Sequence, residues 1–176
     1  MRILISYPKK LENEVDFIHQ EMTSGKWDYF HLRKPDWSDE EMMTLLNNLN
    51  DEVKQKTILH KNFKASCHSF DEVEALNKKM IDNSCHFALI EGTGSQLNYC
   101  FLSPIFNSIS KIGYRAKFDK KELKEFLKKE RKIKVIALGG VTPENYQELI
   151  DMGFDGGAFL GSVWIKYVIA RKNSLC

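Results

Sequence analysis

The sequence predicts a parallel α/β fold. Three observations carry this. Short apolar runs recur along the chain, each with the length of a buried strand. Between most of them lie stretches whose apolar residues repeat at helical spacing. Several of those stretches open on helix-capping residues: Ser38 with Glu41, Ser69 with Glu72, and Thr142 before Pro143. Strand and helix in turn build a parallel sheet covered by helices.

The elements follow in order. Ile3-Leu4-Ile5-Ser6-Tyr7 reads as the first strand. Glu12 to Ser24 reads as a helix with Val15, Ile18 and Met22 on one face, ended by Gly25. Tyr29 to Arg33 is the second strand. The Ser38–Glu41 box starts a helical stripe of Met42, Leu45, Leu46, Leu49 and Val53. Thr57 to His60 is the third strand, and Ala65 to His68 another short one. The Ser69–Glu72 box leads into a helix with Val73, Leu76 and Met80. Tyr99 to Ser103 is a strand, Phe118 to Arg131 a helix, Val135 to Leu138 a strand and Asn145 to Met152 a helix stopped by Gly153. Gly157 to Gly161 forms the last strand, and a short helix starts at Ser162.

Two places break the alternation. Leu59 and Ala65 belong to strand-like runs joined almost directly, whereas a parallel crossover needs a dozen or more residues. His86 to Ile90 resembles a strand too, but only Glu91 to Asn98 separate it from the next. That spacing suits a local hairpin or an irregular excursion.

A single domain over 1–176 is expected from this length, with 43% hydrophobic residues to fill its core. The basic run from Lys120 to Lys134 alternates with Phe118, Leu123, Phe126 and Leu127, so it reads as the wet face of a helix and not as a nucleic-acid patch. Cys67, Cys85, Cys100 and Cys176 show no zinc-finger spacing, and no signal peptide is evident. Free thiols and a cytoplasmic location are the expectation. No apolar run reaches the roughly 18 residues that span a membrane. The oligomeric state stays open, and a homo-oligomer is compatible with the sequence.

The most informative stretch is Val135 to Asn145. A buried run ends in Gly139-Gly140, and a helix start follows. Paired glycines let backbone amides approach a ligand closely, and amides at a helix N-terminus favour an anion, most often a phosphate. Gly161 and Ser162 repeat the arrangement at the last helix. Two ordinary tight turns would look the same.

Several segments resemble one family. Ser103-Pro104-Ile105-Phe106-Asn107-Ser108-Ile109-Ser110-Lys111 resembles its G-P-[IV]-F-x-T-x-[ST]-K loop, and Val135 to Asn145 its A-I-G-G-[IV]-T-P-E-N turn. Gly153 to Phe159 resembles its G-A-D-G-V-A-V strand, Phe30 to Lys34 its Q-L-R-x-K strand, and Cys67-His68-Ser69 with Glu72-Val73 its S-x-H-S-x-x-E-[AV]. This is the thiamine phosphate synthase and thiazole tautomerase (TenI) superfamily. The resemblance implies a TIM (β/α)8-type barrel with its ligand at the carboxyl ends of the strands. At 176 residues the chain is shorter than the roughly 200 or more usual for eight units. The barrel is therefore expected to be shortened or incomplete around its third to fourth β/α units.

The resemblance also implies partners and roles. A synthase joins a pyrimidine pyrophosphate to a thiazole phosphate with Mg²⁺ on the pyrophosphate. A tautomerase isomerises a thiazole carboxylate phosphate by proton transfer and needs no metal. Gly139, Gly140, Gly161 and Ser162 would cradle one phosphate. Ser108, Ser110 and Lys111 would bind it too, the lysine by charge and the hydroxyls by hydrogen bonds; a merely solvated loop is the alternative. Arg33 would grip pyrophosphate in a bidentate way, with Lys34 as a second cation. In strict register the family lysine falls at Pro35, and His31 replaces the family glutamine. His68 and Ser66 match positions lining the pyrimidine or thiazole pocket. His68 would act as general acid or base, or serve as a hydrogen-bonded structural histidine. His60, followed by Lys61, stands where the synthase has Asn followed by a Mg²⁺-binding Asp; a lysine cannot ligate Mg²⁺. The expected site thus comprises Arg33, His68 and Lys111 as catalytic groups, with His31, Lys34, His60, Ser66 and the phosphate residues binding substrate and no metal ligand identified. A synthase, a tautomerase and a phosphate-binding protein without catalysis all remain open at this point.

Overall fold

The structure is a computed structural model describing residues 1–60, 65–81, 88–89, 96–109, 113 and 115–174. In chain order its elements are β1 (Arg2–Ile5), α1 (Glu14–Thr23), β2 (Tyr29–Leu32), α2 (Asp39–Asn48), α3 (Asp51–Lys54), β3 (Thr57–Leu59), β4 (Ser66–Cys67), α4 (Phe70–Ile81), β5 (Ala88–Leu89), β6 (Gln96–Leu97), β7 (Tyr99–Leu102), α5 (Lys120–Leu127), β8 (Lys134–Ala137), α6 (Tyr146–Met152), β9 (Gly156–Phe159) and α7 (Gly161–Ser174).

Seven strands form one sheet in the order β3-β2-β1-β9-β8-β7-β4, and every neighbouring pair is parallel. β2 and β7 stand four places apart in that order. In a flat sheet roughly 19 Å would separate them. The rings of His31 on β2 and Tyr99 on β7 instead lie 5.9 Å apart. The sheet is therefore curled on itself into an open barrel, with β3 and β4 as its two free margins. This is the shortened TIM-type barrel the sequence predicts, and the seam falls at the expected join. Too few residues connect β3 to β4 for a helical crossover, so the two end on opposite margins instead of pairing.

The short segment before β7 is a hairpin. β5 and β6 pair antiparallel, Ala88 with Leu97 and Leu89 with Gln96. His86 lies outside the described residues.

The helices keep the predicted order with four changes of boundary. The Ser38–Glu41 capping box is present. The single stripe expected to run on to Val53 breaks at Leu49, whose backbone is extended, and Asn50 caps a separate α3 through the Val53 amide. α5 starts after Asp119, whose carboxylate accepts from Lys121 and Glu122, and stops at Leu127. Pro143 does not open α6. Thr142 and Asn145 instead exchange side-chain-to-backbone hydrogen bonds of 2.9 and 3.3 Å, and the helix begins at Tyr146. α7 is longer than predicted.

The core runs through Ile3, Phe30, Ile58, Phe101, Ile136 and Phe159, all buried. Cys67 and Cys100 are buried free thiols. The hydrogen bond that the Cys100 thiol makes to Cys67, and burial after it, push that thiol up. Among the described residues no helix is long and apolar enough to cross a membrane.

Candidate functional site

A cavity of about 300 Å³ opens at the carboxyl ends of the strands. It is lined by residues that follow most strands of the barrel: Arg33 after β2, His60 after β3, His68 after β4, Ser103 after β7, Gly139 and Gly140 after β8, and Gly161 after β9.

Local hydrogen bonds fix how each arrives. Ser6, just past β1, donates its hydroxyl to the Arg33 carbonyl at 2.9 Å and accepts from the Arg33 amide at 2.8 Å. Both contacts are to backbone, so the guanidinium is left to the cavity wall. The His68 amide donates to Glu72 at 2.7 Å, and the His68 carbonyl accepts from Lys117 at 2.7 Å. The Ser69–Glu72 box is therefore split: Ser69 accepts from the Glu72 amide, while the Glu72 carboxylate reaches back to His68 instead of Ser69. The His68 Nδ1 lies 3.1 Å from the Ser103 carbonyl oxygen, which can only accept. Nδ1 thus carries a proton, and the tautomer this contact selects has its lone pair on Nε2.

The two glycine turns meet in this cavity. Gly139 and Gly140 have φ of +97° and +66°, where glycine has no steric penalty. The first lies against Pro104 and the second against Asn107. The Gly140 carbonyl accepts from Asn145 Nδ2 at 2.9 Å. Gly161 opens α7, where the first amides have no acceptor one turn back. Ser162 Oγ donates to the Val141 carbonyl at 2.9 Å, tying the start of α7 to the turn after β8. Ser162 itself lines a neighbouring groove beside Phe17 and Tyr167.

Of the residues singled out in the sequence, Arg33, His60, Ser66, His68, Ser108, Gly139, Gly140 and Gly161 line the one cavity. Lys34 does not. Its ammonium is buried 2.5 Å from Glu14 and 2.9 Å from the Lys9 carbonyl, and sits over the Trp37 ring. Burial pushes the Glu14 carboxyl up and the Lys34 ammonium down, against their mutual attraction. The second cation expected beside Arg33 is thus committed to a partner on α1. His31 does not line the cavity either; it is fully buried, bonded to Tyr99 and His60. Ser110 and Lys111 lie outside the described residues. Sequence inspection passes over Ser103, whose carbonyl sets the His68 tautomer. The signal is its place, two residues beyond the inward-facing Phe101.

Among the described residues no aspartate or glutamate lines the cavity, and no group of three His, Cys, Asp or Glu side chains could hold a metal. Mg²⁺ selects carboxylate oxygens. A guanidinium and imidazoles do not fit that ion, so no step is assigned to it.

Fold and cavity together place the chain among α/β barrels that take their ligand at the carboxyl ends of the strands. Residues 65–163 match the profile of the thiamine monophosphate synthase (TMP-TENI) family. The chain belongs to that family. A crystal structure of thiamine phosphate pyrophosphorylase from Bacteroides thetaiotaomicron is similar, with a TM-score of 0.63 and 22% identity over 93% of this chain and 84% of that one. A designed cube-shaped protein cage aligns with a TM-score of 0.47 and 15% identity, covering 92% of this chain and 63% of the other. No curated protein matches.

Proposed function

We propose that the chain is a cytoplasmic transferase of thiamine phosphate synthase type. One observation carries the substrate side of this reading: the turns after β8 and β9 line a single cavity, with Gly139, Gly140 and Gly161 on its wall. The phosphate of a thiazole phosphate sits on their amides and at the start of α7. The pyrimidine pyrophosphate lies toward Arg33, whose guanidinium takes up the charge of the leaving group. The bond between the pyrimidine methylene and pyrophosphate breaks, and its electron pair leaves with pyrophosphate. The thiazole nitrogen lone pair then forms the new C–N bond to that carbon. Ser66 and His68 contact the rings.

A second reading has its own support. Among the described residues the cavity offers no carboxylate for Mg²⁺, and His68 turns Nδ1 to the Ser103 carbonyl, leaving Nε2 as the nitrogen that can exchange a proton with a ligand. Those features suit a thiazole tautomerase, in which Nε2 takes a ring proton and returns it to a neighbouring position. Supplying both synthase substrates and measuring pyrophosphate release, with and without Mg²⁺, tests the first reading. Isomerisation of a thiazole carboxylate phosphate, indifferent to Mg²⁺ and lost in His68→Ala, would replace it with the second. Thiazole phosphate binding with neither reaction would leave a binding protein.

A further inference from the structure

The ladder between β1 and β9 stops one rung early, and a side chain from α7 stands in for the missing donor. The register pairs Arg2 with Gly157, Ile3 with Ala158 and Leu4 with Phe159. The Gly157 amide donates to the Met1 carbonyl at 3.0 Å. Along a parallel ladder the same strand donates again every second residue. Phe159 is therefore the next donor, to Ile3, and Gly161 would be the one after it, to the Ile5 carbonyl. But β9 ends at Phe159 and Gly161 opens α7. The Ile5 carbonyl accepts instead from Trp164 Nε1, at 2.6 Å.

Trp164 is held in place for this. It is completely buried. Its ring packs against Phe17 and Tyr7, with centroids 4.8 and 6.2 Å away, and meets Tyr167 edge-on at 6.1 Å. Its own amide donates to the Leu160 carbonyl at 3.0 Å, so it belongs to the first turn of α7. An indole offers one donor and no acceptor, and a buried carbonyl needs a donor. Each thus satisfies the other. The substituted rung lies at the proposed phosphate site, because Ile5 and Gly161 both line the cavity. Ser162 pins the opposite side of the same turn through the Val141 carbonyl.

We propose that Trp164 is a positioning residue: its indole N–H occupies the Ile5 carbonyl and so keeps the Gly161 amide out of the sheet, free to donate to an oxygen of the substrate phosphate. One amide has one proton to donate. Spent on Ile5, it would extend β9 by a rung, delay the start of α7 and remove a donor from the anion site. The ligand half of this proposal rests on the cavity taking a thiazole phosphate. The half that concerns the sheet does not.

The full chain labelled with [¹⁵N]glycine gives a ¹H–¹⁵N spectrum of ten glycines. Gly161 is identified by its loss in Gly161→Ala. Its amide is expected to exchange rapidly with solvent in the free wild-type protein, and at least tenfold more slowly in Trp164→Phe, where it takes the vacated Ile5 carbonyl. A Gly161 amide already protected in the free wild type overturns the proposal, as does exchange unchanged in Trp164→Phe. Should that variant not fold, the wild-type exchange decides alone. Calorimetric titration supplies the second arm. Trp164→Phe should bind thiazole phosphate roughly tenfold more weakly, having lost one amide donor to a charged group. The thiazole alcohol without its phosphate should bind both proteins alike. Equal losses for the two ligands, or none for the phosphate, overturn the positioning role. If the wild type does not bind thiazole phosphate, the substrate reading fails, while the Gly161 exchange still judges the rung.

Discussion

Gly140 stands so close to Asn107 that a Cβ built on it would lie 2.3 Å from the Asn107 carbonyl oxygen. Its φ of +66° already disfavours any other residue. The turn after β8 and the loop after β7 are therefore fitted backbone to backbone. Gly140→Ala is expected to cost about 2–4 kcal/mol, from strain and the forced movement of Asn107. The midpoint of chemical denaturation measures this; a wild-type midpoint would show that the loop yields freely.

Arg33 is expected to matter for anion binding and little for folding, because Ser6 holds its backbone and not its side chain. Arg33→Ala should weaken competition by pyrophosphate by roughly tenfold or more, and Arg33→Lys should recover only part of it, since a point charge replaces a planar fork. The thermal midpoint should stay within a few degrees of wild type. Unchanged pyrophosphate binding would remove Arg33 from the site.

His68→Ala leaves intact the backbone contacts to Glu72 and Lys117. If His68 moves a proton in turnover, kcat should fall by about 10²–10⁴, with a smaller change in KM. A rise in KM alone, at constant kcat, would point to ring binding without proton transfer. Steady-state kinetics separate the two.

The Lys34–Glu14 pair is buried on both sides. Removing one partner strands a charge, so Lys34→Met is expected to cost about 3–5 kcal/mol, while Lys34→Met with Glu14→Leu should recover much of that loss. Both proteins should bind thiazole phosphate as the wild type does. A selective loss of affinity in the folded double variant would return Lys34 to the site.

Burial brings His60 down to about 4 in the folded chain and holds His31 well below its ordinary range, against about 6.5 in an unfolded one. Between those values the unfolded chain binds protons that the native chain refuses. Stability is therefore present above pH 6.5 and is lost as pH falls toward 4, by on the order of 3 kcal/mol from His60 alone. Denaturation midpoints at pH 7 and pH 4.5 should show the drop, and His60→Gln should reduce it. A flat profile would mean that both imidazoles are solvated.

Much of the fold was legible in the residues because it rests on local signals. The Ser38–Glu41 box forms as written, and the runs at Tyr29, Thr57 and Tyr99 are strands within a residue or two of their expected ends. Boundaries failed where a longer-range contact won. Asn50 caps a new helix in the middle of an unbroken apolar stripe, and Asn145 pairs with Thr142 and delays α6 past Pro143. The site divided in the same way. Glycines that need positive φ, and an arginine at a strand end, announce themselves. Lys34 follows Arg33 directly, yet side chains alternate along a strand, so only one of the two can face inward.

By itself, then, the sequence determined the order of strands and helices, the place of the missing unit and the two turns that could take a phosphate. Each depends on neighbours a few residues apart. Tertiary structure alone decided that Lys34 pairs with Glu14, that Ser103 orients His68, and that Tyr99 reaches His31 across the barrel. Those partners are far apart in the chain, and only the curl of the sheet brings them within hydrogen-bonding distance.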